Sequence, residues 1–189
     1  MDKRVMVAFS AATVLAAAVA LAGSEPETIE RFKQAGQSAS FFGNSYGYAV
    51  FPTIGKGGIA IGGAHGDGHV YDHGKAVGRT SMTQVSFGLQ LGGEAFSEII
   101  FFQDRRAFDR FTSGKFEFGA GAQAVVITAG ASASAGTGGA SAGASANSVT
   151  ATTAGKYHDG MAVFTIMKGG AMYELSVQGQ KFSYKPGLE

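Results

Sequence analysis

Apolar positions first repeat with a helical period and then with a period of two. In Pro26 to Phe42 the apolar or small residues Ile29, Phe32, Ala35, Gly36, Ala39 and Phe42 fall on one stripe, which predicts a single amphipathic helix. Ser24 or Glu25 can cap it, Pro26 suits a first turn, Glu27 and Glu30 favour the start of the dipole, and Gly43-Asn44 stops it. From Tyr46 the alternation is that of strands. It predicts Tyr46–Phe51 (ended by Pro52), Gly58–Ala64, a strand beginning at Val70-Tyr71 after a Gly66-Asp67-Gly68 turn, Met82–Leu91, and Phe116–Thr128. Glu98–Phe102 is a continuous apolar run, the pattern of a strand covered on both faces. A final meander is expected from Met161–Met167, Met172–Val177 and Lys181–Tyr184, with turns at Lys168-Gly169-Gly170 and Gln178-Gly179. Between these strands, Asp104 to Ser113 reads as a short helix capped by Asp104 and stopped by Gly114. Ala107, Phe108 and Phe111 face the core, and Arg106 and Arg110 lie together on the other side.

The pattern predicts an α+β fold: a curved, mostly antiparallel sheet, barrel-like or sandwich, packed by an N-terminal amphipathic helix and one short internal helix. Composition agrees. Thirty glycines, 15 phenylalanines and only 15% charged residues in 189 suit a turn-rich β fold, not a helix bundle. Ala129 to Gly155 is almost wholly Ala, Gly, Ser and Thr, either a loop or strands with tiny side chains.

The leader changes the charge and the compartment. Asp2-Lys3-Arg4 precedes an apolar run, Val5 to Ala22, that closes on Ala20-Leu21-Ala22. This reads as a signal peptide over residues 1–22, an uncleaved anchor being the alternative, with one domain over 23–189, and implies an exported protein, periplasmic, secreted or membrane-associated. Of 15 Lys+Arg and 14 Asp+Glu, cleavage leaves 13 of each, so bulk charge predicts no attraction to nucleic acid. With no cysteine, thiolate metal sites, disulfides and cysteine nucleophiles are excluded.

The stretch HGDGHVYDH, His65 to His73, holds three of the four histidines. On a hairpin tipped by Gly66-Asp67-Gly68, His65 and His69 would stand opposite each other, roughly 5 Å apart, with His73 roughly 13 Å from His69. Two histidines without a placed carboxylate fall short of a zinc site, so these read as exposed hairpin residues, and no metal or cofactor is expected. Gly139-Ala-Ser141-Ala-Gly143 matches a nucleophile elbow in letters only, since small-residue tract flanks it on both sides. Gly119 to Ala124 loosely matches a dinucleotide loop but continues as a strand. Glu94, Glu98, Asp104 and Asp109 read as solvated faces and caps. None of these patterns points to an enzyme.

Basic residues next to aromatic ones carry the remaining chemistry. Lys56 sits in a glycine-rich turn, and Arg105, Arg106 and Arg110 share the short helix; all could meet phosphate oxygens or form ordinary salt bridges. On the N-terminal helix, Phe32, Phe41 and Phe42 with Arg31 and Lys33 could meet a membrane, or the helix could cover the sheet.

In their order, the blocks resemble the SYLF domain family. Ala49-Val-Phe51-Pro52 to Lys56-Gly57-Gly58, Gly66 to Tyr71, Ser86 to Glu94, Ile99 to Phe102, Ala107-Phe108 to Phe111, Phe116 to Gly121 and Lys168 to Gly179 are similar to its successive motifs, over about Tyr46 to Tyr184. The resemblance implies a lipid-binding domain. Eukaryotic members bind phosphoinositides and associate with actin; bacterial members are exported and bind phospholipid. The expectation is peripheral binding to anionic phospholipid through Arg31, Lys33, Phe41, Phe42, Lys56, Arg105, Arg106 and Arg110. The alternative is a structural envelope protein that binds a protein partner. An exported protein would not meet actin.

Overall fold

The computed structural model describes residues 23–59, 61–87, 92–119, 122, 124–128, 157–170, 177 and 179–188. The leader, the Ala/Ser/Gly tract with Ser141, and residues 171–176 lie outside the described residues. The described residues open with three short helices, α1 Glu25–Gln34, α2 Gly36–Ala39 and α3 Phe41–Asn44. Four long strands follow: β1 Gly47–Ile59, β2 Ile61–Asp72, β3 Lys75–Phe87 and β4 Gly92–Phe102. Then come α4 Arg105–Phe111, β5 Lys115–Glu117, β6 Ala124–Thr128, β7 Met161–Gly170 and β8 Lys181–Pro186. They form one sheet in the order β5-β8-β3-β2-β1-β4-β7-β6. Each pair is antiparallel except β6 with β7. The expected α+β class holds.

Strand β4 explains why both faces are apolar. Phe96, Ile100 and Phe102 enter one buried cluster with Phe51, Ile54, Phe111 and Phe182. Ile99 and Phe101 enter the other, under the N-terminal helices. There Phe32 and Phe41 are buried, and Phe41 lies 4.9 Å from Phe164 and 5.4 Å from Phe101, ring centre to ring centre. Of the two placements open to the N-terminal helix, the structure has it covering the sheet.

The sheet curls around the first cluster. Glu98 on β4 and Gln180, just before β8, are four strands apart, roughly 19 Å across a flat sheet. Yet Gln180 Nε2 donates to Glu98 Oε2 at 3.0 Å. Phe51 and Phe182, three strands apart, pack with ring centres 5.6 Å apart.

Several expected boundaries are corrected. Gly66-Asp67-Gly68 is the middle of β2, and the hairpin turns instead at His73-Gly74, where both residues have positive φ (47° and 79°). The two glycines serve close approach. A Cβ on Gly68 would stand 2.1 Å from the Val50 carbonyl oxygen, and one on Gly66 2.6 Å from Ile54 Cγ1. Pro52 does not end β1; the register shifts between Val50 and Thr53, and a bulge tolerates the missing N–H. His65 and His69 therefore share one strand and one face rather than facing each other across a hairpin, roughly 13 Å apart. Among the described residues no group of three or more His, Asp or Glu could hold a metal.

Phe116–Thr128 is not one strand. Its ends become β5 and β6, at opposite edges of the sheet. The expected turn at Lys168-Gly169-Gly170 is corrected as well: β7 runs through it and pairs with β4, whereas β8 pairs with β3 and β5; the expected strand Met172–Val177 lies, save Val177, outside the described residues. Met82–Leu91 starts earlier, at Lys75.

Candidate functional site

The curl brings β5 and the approach to β8 towards β7, and a cleft lies along this seam. Phe116 and Phe118 alternate into it from one side, Met161 and Val163 from the other. The Phe118 N–H donates to the Gln180 carbonyl and the Gly179 N–H to that of Phe118 (3.0 and 2.9 Å), which fixes the phenylalanine side. The cleft encloses about 360 Å³, within the range of small-ligand sites. Its rim is set by α4. Asp104 caps that helix as expected, accepting from the Ala107 N–H at 2.8 Å, and Gly114 ends it at φ 102°. Ala107 and Phe111 anchor α4 in the core, so Arg110 is held at the mouth.

Arg110 is aimed by Asp159. Its Nη1 donates to Asp159 Oδ2 at 2.9 Å and its Nη2 to the Asp159 carbonyl at 2.6 Å. The guanidinium also stands 5.6 Å from the Phe116 ring centre, while Nε is buried with no hydrogen-bond partner among the described residues. An apolar floor with a fixed, incompletely satisfied guanidinium at its edge can take an amphiphile: hydrocarbon on the phenylalanines, an anionic oxygen at the rim.

Behind the cleft the interior holds charge that was expected in solvent. Glu94 and Glu98 are both buried, and this corrects their reading as solvated carboxylates. Their i, i+4 spacing on a strand puts both on the face of Phe96 and Ile100, the inner one. Lys56 lies opposite Glu94 with its ammonium 3.2 Å from the carboxylate. Burial still raises the Glu94 carboxyl, and the attraction of Lys56 offsets only part of that. Burial pushes Glu98 up to about 7, with the Gln180 hydrogen bond pulling the other way. One oxygen of Glu98 and the Gln180 side-chain oxygen have no partner among the described residues. Of the other two carboxylates, Asp104 is a cap, and Asp109 is exposed and lies 3.5 Å from Arg105.

The eight expected binding residues are not brought together. Lys56 is in mid-strand with its side chain inside, not on a flexible turn. Phe41 is core, and Phe42 is half-buried against Phe101 and Tyr48, so neither ring is presented for insertion in this structure. Arg31 and Lys33 are exposed on α1; Lys33 bonds Glu30 at 2.8 Å and lies over the Phe42 ring. Arg105 and Arg106 are exposed on α4. Arg110 does not stand with Arg106 but is drawn to Asp159. Since α1 packs on one cluster and α4 on the other, the two basic groups lie on opposite faces of the sheet.

The structure adds residues that the sequence reading passed over. Phe116, Phe118, Met161 and Val163 were legible as inward strand positions, but nothing local said that they meet. Arg79 and Lys185 face each other across β3 and β8, and only strand register could have revealed it.

A family model described as "Ysc84: Las17-binding protein actin regulator" matches residues 83–186, just over half of the chain. No curated protein matches it. The matched span contains α4 and every cleft residue named above, and excludes Arg31, Lys33, Phe41, Phe42 and Lys56.

Proposed function

The chain belongs to the Ysc84, or SYLF-domain, family, and on that premise we propose that it is a non-enzymatic, exported protein that binds anionic phospholipid peripherally. The observation that carries this reading is the seam cleft, with its apolar floor and Arg110 at the rim. Arg106 and Arg105, the latter against Asp109, are exposed on the same short helix and add positive charge to its outer side, about one turn from Arg110. The leader pattern of residues 1–22 supports export, and among the described residues no helix is long and apolar enough to cross a membrane. Binding to a formally neutral mature chain rests on a local patch and is salt-sensitive.

Vesicle co-sedimentation tests the reading. The protein should bind phosphatidylglycerol vesicles but not phosphatidylcholine vesicles, and lose most binding in high salt. Arg105→Glu/Arg106→Glu should reduce binding by at least about thirtyfold, since each of the two positive charges removed contributes about 1 kcal/mol near an anionic surface. Arg31→Glu/Lys33→Glu, on the other face, should leave it nearly unchanged. No binding to either vesicle, or loss only in the α1 variant, rejects the cleft side as the membrane face. Lys56→Glu is no test, because it would bury two carboxylates together.

The family description names a protein-binding actin regulator, which favours a second reading: a protein-partner-binding envelope component. Complexes from envelope extract that persist on gel filtration without lipid would select it.

A further inference from the structure

A second basic site is written into the register of the sheet, away from the seam. Arg79 on β3 is directly opposite His69 on β2 and Lys185 on β8. Three basic side chains thus stand on one rung, spanning roughly 10 Å. Like charges placed directly opposite are destabilising, and among the described residues neither Arg79 nor Lys185 is ion-paired. Both are exposed. The next rung places the Ser81 and Ser183 hydroxyls 2.7 Å apart beside them. These groups line an open cleft of about 570 Å³.

Two carboxylates reach the same cleft, and neither is ion-paired with Arg79 or Lys185. Glu25 accepts from the Tyr71 hydroxyl and lies 2.5 Å from His69 Nδ1. Asp67 lies 3.9 Å from His65 Nε2. The uncompensated charge is on Arg79 and Lys185. We propose that these two residues, with the Ser81 and Ser183 hydroxyls and the edge of His69, bind a phosphate-type oxyanion. The guanidinium can offer two parallel N–H groups, the ammonium a third donor, and the hydroxyls close the tetrahedral set. This goes beyond the phospholipid reading: the site is on the outward face of β3 and β8, whereas the seam cleft is lined by α4, β5 and β7 at the inner cluster.

Thermal unfolding of the full chain tests it, with pyrophosphate as the probe and chloride at matched ionic strength as the control. At ten times its Kd, pyrophosphate should raise Tm by about 3–6 °C. Arg79→Gln/Lys185→Gln should abolish the rise. Lys185→Glu should abolish it too while making an internal pair with Arg79, so a folded variant remains to be measured. Two sources of the oxyanion are separable. Loss of phosphatidic acid vesicle binding in Arg79→Gln/Lys185→Gln points to a lipid phosphomonoester; a pyrophosphate response with vesicle binding unchanged points to a soluble phosphate. No rise in the unmodified protein, or an equal rise in all variants, overturns the site.

Discussion

Glu98 is a carboxyl at the centre of a sheet that solvent does not reach. It keeps its proton in the folded protein up to about pH 7, while in the unfolded chain it loses it near its ordinary value of 4.5. Between those two values the folded state holds the extra proton. Stability is therefore full below about pH 4.5 and falls as pH rises through about 7, by on the order of 3 kcal/mol. Glu94, raised by burial as well, acts in the same direction. Glu98→Gln removes the charge and offers an amide N–H to the unpartnered Gln180 oxygen. Urea unfolding at pH 5 and pH 8 should show the variant gaining on the parent by about 2–3 kcal/mol at the higher pH. A gap that does not change with pH would mean that Glu98 is hydrated and ionised. None of this was legible in the sequence. Glu98 is flanked by Ser97 and Ile99 and could equally begin an apolar strand from outside; what buries it is the arrival of Gln180 from eighty-two positions away.

At the scale of the element, the N-terminal helix shows where pattern reading succeeds and where it stops. Its start was written locally: Ser24 and Glu27 form a reciprocal capping box, with Pro26 in the first turn. Its apolar stripe correctly carried Ile29, Phe32 and Phe42. Its continuity was not legible, because Ala35 leaves helical geometry at ψ 103° and two further short helices follow. The physical reason is Ser38, buried, whose hydroxyl donates to the Phe32 carbonyl at 2.5 Å and so competes with the helical ladder. The break rotates Phe41 into the core. The same element is clasped to β2 by Glu25, through His69 and Tyr71. Burial first, and that clasp second, raise the Tyr71 phenol. Glu25→Ala should cost the helix both of these contacts, at least about 1.5 kcal/mol, and so speed hydrogen exchange of the Glu30–Gln34 amides by at least tenfold. Amides of β1 and β4 should keep their rates. Uniform acceleration across the sheet would show instead that α1 opens only when the whole molecule does.

At the scale of the whole molecule, the strand order divides the sheet into unequal halves. β1 and β4 are covered on both faces, by the inner cluster and by the helices. β5 and β8 are covered on one, since Lys115, Glu117, Lys181, Ser183 and Lys185 are exposed. Sequence periodicity announced that these were strands, and with the amphipathic helix and the glycine content it was enough for the fold class. It could not give partners: alternation specifies a face, while pairing is settled by which faces can be buried together. That is why Phe116–Thr128 read as one strand although its ends separate to the two edges. The asymmetry has a dynamic consequence. The β5–β8 half is joined to the rest by Gln180–Glu98 and by packing of Phe182 on Phe51 and Phe111, while the Phe118 and Gly179 backbone bonds only tie β5 to the approach to β8. It should open as a unit at lower free energy than the centre. Native-state exchange should find β8 amides at least a hundredfold faster than those of β4, a gap of about 2.7 kcal/mol. If opening of that half admits an amphiphile to the seam, phosphatidylglycerol vesicles should slow exchange in β8 and β5 while leaving β4 unchanged. Protection confined to α1 would place the lipid on the opposite face, and equal rates in β8 and β4 would show that the two halves are one cooperative unit.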